Sequence, residues 1–187
     1  MKVLVVGATG KYASHVIPEL KQRGVTIRAL VRDKDKIDTA RQQGADEAVV
    51  GDLNDAESLR VAASDVEGVF HLNPAFAPDE AALGMAMVEA ATAAGVRKFV
   101  FSSVIHLSIS ALSNHAAKRP VEEALCESGM QFVILQPTMF MQNFDNGWRA
   151  VMEKGRFALP YSKHSPSYVR GVSDKLITEP PENLDSP

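Results

Sequence analysis

The chain of 187 residues has little cysteine, few aromatic residues and no long apolar run. A single cysteine, Cys126, excludes an internal disulfide framework and a cysteine-based metal site, and we expect it to be a buried structural residue of a helix rather than a reactive thiol. No apolar stretch approaches the roughly 20 residues of a membrane helix. The net charge of −3 leaves no basic surplus for nucleic acid or an anionic membrane.

The N-terminal sequence MKVLVVGATG has neither the length nor the cleavage site of a signal peptide. Together with the scarcity of cysteine, this predicts a protein of the reducing cytoplasm. The expected partners are therefore small molecules, with no nucleic acid, membrane or metal ion.

Short β-branched runs alternate with helical segments over most of the chain. This alternation predicts βαβ units with right-handed crossovers, hence an α/β fold with a Rossmann-type doubly wound parallel sheet. The predicted strands are 2–6, 25–31, 47–50, 68–72, 98–101 and 131–135. The predicted helices are 10–24, 34–43, 56–63 with a cap within 52–55, 79–94, and 114–128 with an early interruption at Pro120.

Beyond Phe140 the pattern loosens, with a predicted helix over 139–152 and a short strand over 156–159. The remainder is polar and rich in proline, which is typical of a poorly ordered tail. We therefore predict a dinucleotide-binding domain over 1–160 and a tail over 161–187, so that a C-terminal substrate region is short or missing.

A glycine-rich turn, GATGKYA over 7–13, follows the first strand and opens the first helix. Gly7 permits the tight turn, Gly10 lets backbone approach a pyrophosphate, and Ala13 replaces the third glycine where helix and strand pack closely. The strand before and the helix after are the context that this motif requires. The alternative is a turn that only connects a strand to a helix. The predicted cofactor contacts here are Gly7, Thr9, Gly10, Lys11 and Tyr12.

The residue that reads the adenine ribose is expected at the tip of the second strand. Arg32 stands there with Lys36 nearby, and these cations favour the 2′-phosphate of NADP. Asp33 keeps NAD open, because an acid at this tip binds the 2′-hydroxyl. A solvated charge cluster is the alternative without a function.

Two further strand ends belong to the predicted site. Asp52 and Leu53 end the third strand and are expected to face the adenine, although Asp52 also suits a helix cap. Leu72 and Asn73 end the fourth strand, on the pyrophosphate and nicotinamide side.

The motifs together resemble the atypical short-chain dehydrogenase/reductase family, and within it the NmrA-like proteins. The resemblance is carried by GATGKYA (7–13), VRD (31–33), GDL (51–53), FSSV (101–104), HAAKRPVEEALCESG (115–129) and ILQPTMFMQN (134–143).

The resemblance implies cofactor contacts by Ser102, Lys118 and Pro137. In reductases of the wider superfamily a Tyr-x-x-x-Lys pair does the chemistry, with the lysine on the nicotinamide ribose and the tyrosine as proton donor. Lys118 matches the lysine, and His115 is the candidate in place of the tyrosine. A helix-surface histidine is the alternative for His115.

The function that the resemblance implies is NADPH-dependent reduction of a small quinone or carbonyl. The alternative is a non-catalytic redox sensor that binds NADP and regulates a partner. Relatives continue into a C-terminal region that covers the substrate, so this chain is either a truncated variant or completes its pocket otherwise, for example in a homodimer.

Overall fold

The computed structural model describes residues 1–109, 111–155 and 169–170. The chain divides into two compact units, Met1–Gln136 and Pro137–Pro187. The predicted boundary at residue 160 and the predicted strand over 156–159 lie outside the described residues.

The first unit is built on a six-stranded parallel sheet with the order β3-β2-β1-β4-β5-β6. Strand β1 has β2 on one side and β4 on the other, so the strand order reverses there. In open α/β sheets, ligands bind outside the carboxyl ends of the strands at this reversal. The strands are β1 (Lys2–Val6), β2 (Thr26–Val31), β3 (Glu47–Val50), β4 (Gly68–Leu72), β5 (Lys98–Ser102) and β6 (Gln131–Leu135).

Helices flank the sheet, which confirms the predicted α/β Rossmann-type class. Helices α1 and α2 contact β2 and β3, whereas α3, α4 and α5 pack on a core that includes Leu4, Phe99 and Phe101. The helices of this unit are α1 (Val16–Gln22), α2 (Ile37–Gln42), α3 (Ala56–Ala63), α4 (Glu80–Ala93) and α5 (Ser113–Glu127), with 3-10 turns at Ala13–His15 and Lys34–Lys36.

Two helices differ from the prediction. The first begins at Ala13 as a 3-10 turn rather than at Gly10, because residues 7–12 form the glycine turn. The predicted interruption of α5 at Pro120 is wrong: the helix continues through it. Pro120 has no N–H to donate to the preceding turn, yet Val121 and Leu125 are fully buried. Their packing holds the helix together.

Two assignments of single residues are also corrected. The cap of α3 is Asp55, whose carboxylate accepts from the N–H groups of Glu57 and Ser58, while the Asp52 carboxylate accepts only from Asn54. Cys126 is exposed on α5, not buried as expected. It lies beside the buried Leu125 in sequence but on the outer side of the helix.

The second unit is described over 137–155 and 169–170. It contains a short parallel pair, β7 (Met139–Phe140) with β8 (Val169–Arg170), then a 3-10 turn over Met141–Phe144 and helix α6 (Asp145–Lys154). The predicted helix over 139–152 is thus confirmed only in its second half. No helix among the described residues is both long and apolar enough to cross a membrane.

Candidate functional site

The glycine turn lies at the carboxyl end of β1, where the strand order reverses. Gly7 has φ +77°, a left-handed conformation that favours glycine. The Gly10 N–H donates to the Gly7 carbonyl at 2.8 Å, and a Cβ added to Gly10 would lie 2.9 Å from that oxygen. Ala13 is buried, and a Cβ on Gly7 would approach its methyl to 3.8 Å. A side chain is therefore disfavoured at Gly7 by its backbone conformation and excluded at Gly10 by the Gly7 carbonyl, as expected of a tight glycine turn between a strand and a helix.

Arg32 and Lys36 are exposed beyond the end of β2, next to β1 in the sheet. The Arg32 side chain is 78% exposed, and its Nε lies 3.9 Å from the Asp33 carboxylate. An exposed pair at this distance contributes little, typically about 0–1 kcal/mol. The guanidinium can therefore turn to an anionic ligand at small cost.

The remaining predicted strand-end residues also follow the carboxyl edge of the parallel sheet. Leu72 pairs in register with Ser102, and its carbonyl lies 3.4 Å from the position of a Cβ on Gly7. Asp52 is exposed and Leu53 half-buried after β3. Pro137 belongs to the second unit.

Lys118 is buried on the inner face of α5, where two acceptors bind its ammonium. Its Nζ donates to the Glu80 Oε1, a carboxylate only 1% exposed, and to the Asn114 Oδ1 at 2.9 Å. The predicted ribose-binding lysine is thus held in place by α4 and by its own helix.

Asn73 connects the end of β4 to the same cluster. Its Nδ2 donates to the Glu80 carbonyl at 3.0 Å, and its Oδ1 accepts from the His71 Nε2. A Cβ on Gly84 would lie 2.7 Å from the Asn73 amide, so α4 approaches closely only because residue 84 is glycine. Asn73 was predicted to contact cofactor; its side chain is committed to these internal bonds.

His71 lies fully buried between Phe99 and Phe101. Desolvation by burial lowers the pKa of His71 to about 4, against a smaller opposing effect of the bond with Asn73, and the positive charge of Lys118 lowers it further. Because the Asn73 oxygen can only accept, Nε2 carries the proton, and in the described part of the chain Nδ1 has no partner. A neutral imidazole is therefore the form that fits.

His115 lies half-buried near the start of α5, one turn before Lys118. Its Nδ1 lies 2.9 Å from the carbonyl oxygen of His106, a residue with φ +58°. A carbonyl only accepts, so Nδ1 carries the proton and Nε2 of the neutral ring is bare. His115 can thus donate from Nε2 only as an imidazolium.

Ser103 directly follows β5 at the same edge as the glycine turn. It is 4% exposed, and its hydroxyl lacks a hydrogen-bond partner among the described residues. Its N–H donates to the Leu135 carbonyl at 2.8 Å, which fixes the backbone there. Ser103 is thus a buried polar group at this edge whose hydroxyl is not satisfied by the described residues.

Sequence reasoning missed Glu80, His71 and Asn114. One signal was available for Glu80: α4 is rich in alanine and methionine, and Glu80 and Glu89 are its only charged residues. The two glutamates lie on different faces of the helix, so that Glu80 is buried and Glu89 is exposed.

No group of three or more potential metal ligands occurs in the ranges that the structure describes. A cavity of about 570 Å³ lies at the amino ends of β4, β5 and β6, lined in part by Glu67, Thr92, Arg97 and Ser128. Because this edge is opposite to the glycine turn, the cavity takes no part in the candidate site.

The sheet order and the glycine turn define a Rossmann-type α/β protein with the local geometry of a dinucleotide site. The NmrA-like family profile matches residues 1–166. The chain belongs to the NmrA-like family.

Several of the similar proteins are reductases or oxidoreductases by name, and others are named as photosystem II assembly factors. The NAD(P)H azoreductase of Xenophilus azovorans is 33% identical over 95% of this chain and 64% of its own length. The NADPH-dependent quinone oxidoreductase QOR2 of Escherichia coli, solved with NADPH, is 26% identical, with a TM-score of 0.72 over 82% of this chain and 54% of that one. The triphenylmethane reductase of Citrobacter sp., solved with NADP(H), is 25% identical, with a TM-score of 0.73 over 82% and 55%. The chain thus spans between about half and two thirds of these proteins.

Proposed function

We propose that this chain binds NADP at the glycine turn and acts in the NADPH-dependent reduction of a small quinone. The observation that carries the proposal is the glycine turn at the reversal of the strand order, where Gly7 has a positive φ and Gly10 has no room for a Cβ. The relatives named above, which act with NAD(P)H or were solved with NADPH, support the choice of cofactor.

Each group of the site has a proposed binding role. The turn 7–12 holds the pyrophosphate, Arg32 and Lys36 the 2′-phosphate, and Lys118 the nicotinamide ribose. Asp52 and Leu53 lie on the adenine side, and Ser102 beside the nicotinamide. When bound, the nicotinamide supplies a hydride, and the protein supplies orientation.

The arrangement of His115 favours a quinone over a simple carbonyl. The Nδ1 proton of His115 lies on the His106 carbonyl, so an alkoxide can take a proton only from Nε2 of an imidazolium, whereas a quinone needs no such donor. A reduced quinone can take its proton from water. If the chain is instead a sensor, NADPH binds but no acceptor oxidises it.

The test is acceptor-dependent oxidation of NADPH, followed by its absorbance with a naphthoquinone and with an aromatic aldehyde. We expect oxidation with the quinone, and His115→Ala should keep most of that rate. His15→Ala, which changes an exposed histidine beyond the glycine turn, is the matched control.

Two results would count against the proposal. NADPH binding without oxidation by either acceptor favours the sensor. Aldehyde turnover that falls by about 10²–10⁴-fold in His115→Ala, the usual size of general acid catalysis, makes His115 the proton donor.

A further inference from the structure

The buried carboxylate of Glu80 is the least expected feature of the site. Glu80 is the first residue of α4 and only 1% exposed. A buried charge is costly unless it is paired and hydrogen-bonded. Its retention between β4 and α5 therefore needs compensating contacts, and both of its oxygens have them.

The two carboxylate oxygens contact different parts of the site. Oε1 accepts from the Lys118 ammonium, and Oε2 accepts from the Phe76 N–H at 2.8 Å. The second contact fixes the plane of the carboxylate, so Lys118 meets an acceptor with a defined direction.

The loop after β4 is tied to the same residue. Phe76 has φ +67°, an unusual conformation for a bulky side chain, and its ring is 75% exposed. The Asn73 amide donates to the Glu80 carbonyl at the start of this loop. Glu80 therefore joins Lys118 to the loop that leaves the carboxyl edge of β4.

We propose that Glu80 is a positioning residue, which holds the Lys118 ammonium where it binds the nicotinamide ribose. This role rests on the proposed function, since it requires that Lys118 contacts NADP(H). Asn114 supplies the second acceptor, so an ammonium that loses Glu80 is left with one partner and can turn away from the ribose.

A purely structural tie between α4 and α5 makes a different prediction. Such a tie would affect folding and all ligands alike, whereas positioning affects only ligands with a nicotinamide ribose. The ligand 2′,5′-ADP lacks that ribose, whereas NADPH contains it. Comparing the two separates the roles without measuring turnover.

The experiment is a calorimetric titration of the parent, Glu80→Gln, Glu80→Asp and Glu89→Gln with each ligand. The Glu80→Gln change should weaken NADPH binding by about 10-fold or more, the loss expected for one charge-assisted hydrogen bond. Its affinity for 2′,5′-ADP should stay within about twofold. Glu80→Asp, which keeps the charge, should recover part of the NADPH affinity. Glu89→Gln on the exposed face of the same helix should change neither.

A double replacement guards against misfolding and tests the route of the effect. In Glu80→Gln/Lys118→Gln both buried charges are gone and two amides can pair. If Glu80 acts through Lys118, this protein should bind NADPH as weakly as Lys118→Gln alone.

Four outcomes would overturn the proposal. Equal weakening of both ligands by Glu80→Gln would make Glu80 a structural tie. Additive losses in the double variant would mean that it acts independently of Lys118. A parent that binds both ligands, with NADPH affinity unchanged in Glu80→Gln, would refute the positioning role alone. A folded parent that binds neither ligand would refute the proposed function itself.

Discussion

His71 shows how burial decides the state of a single residue. It is surrounded by Phe99 and Phe101, donates to Asn73, and lies close enough to Lys118 to be affected by its charge. An imidazolium at this position would be desolvated and repelled by the lysine. The neutral ring instead donates one hydrogen bond and packs as an aromatic.

The lowered pKa of His71 makes stability depend on pH. The unfolded chain binds a proton near pH 6.5, and the folded one only near pH 4. Between these values the unfolded state holds more protons than the folded state. The contribution of the neutral His71 to stability is therefore fully present above pH 6.5 and is lost as the pH falls toward 4. The part of the free energy of unfolding that depends on His71 should drop by about 3 kcal/mol over this window.

Urea unfolding at pH 7, 5.5 and 4.5 measures this effect. The His71→Gln protein is the control, since glutamine can still donate to Asn73 but does not titrate, and its stability should fall less over the same range. Identical pH profiles for the two proteins would contradict the account of His71.

At the scale of elements, the contact between α4 and α5 depends on Gly84. A Cβ there would overlap the Val121 Cγ2 and lie 2.7 Å from the Asn73 Nδ2. These distances are too short for real contacts, so an added methyl must separate the two helices or displace Asn73. Glu80 and Lys118, which bridge the same helices, would move with them.

We expect Gly84→Ala to lower the free energy of unfolding by about 1–3 kcal/mol through overpacking, although alanine is the better helix former by about 1 kcal/mol. Urea unfolding measures it. The Val121→Ala change removes the methyl groups that the new Cβ would meet. Adding Gly84→Ala to the Val121→Ala protein should therefore lower the free energy of unfolding less than adding it to the parent. A Gly84→Ala protein at least as stable as the parent would refute this packing argument.

The elements that sequence reasoning predicted well are those with a strong local signal. The apolar run at 2–6 predicts a buried strand, and the glycines that follow mark where the strand ends. Strand β1 matches this prediction residue for residue. Pro120 was misread because a local rule was applied where burial of Val121 and Leu125 prevails. The cap of α3 was predicted only to within 52–55, and the structure assigns it to Asp55.

The candidate site was predictable only in part. The roles of Gly7 and Arg32 were predicted from their spacing along one segment of the chain. The cluster of His71, Glu80 and Lys118 joins the consecutive elements β4 and α4 to the more distant α5, and no local pattern encodes the meeting of Glu80 with Lys118, 38 residues further along the chain. The exposure of Cys126 could not be predicted either, because it depends on which face of α5 packs on the sheet.

At the scale of the whole molecule, the chain spans only part of the length of its relatives. It covers 64% of the azoreductase and 54% of the quinone oxidoreductase chain. The residues proposed to hold the dinucleotide, apart from Pro137, lie within the unit Met1–Gln136. Binding of NADP should therefore require only this unit, while the acceptor and a homodimer stay predictions.

The central claim is that the turn at 7–13 and Arg32 form a site for NADP. The most direct measurement is a calorimetric titration of the parent and Arg32→Ala with NADPH and NADH, with Arg41→Ala, an exposed arginine of α2, as control. We predict one NADPH per chain, bound about 10- to 150-fold more tightly than NADH, the contribution of a hydrogen bond between charged groups. Arg32→Ala should remove most of this preference, and Arg41→Ala should keep it. Equal affinities of the parent for the two nucleotides, or no binding of either, would contradict the claim.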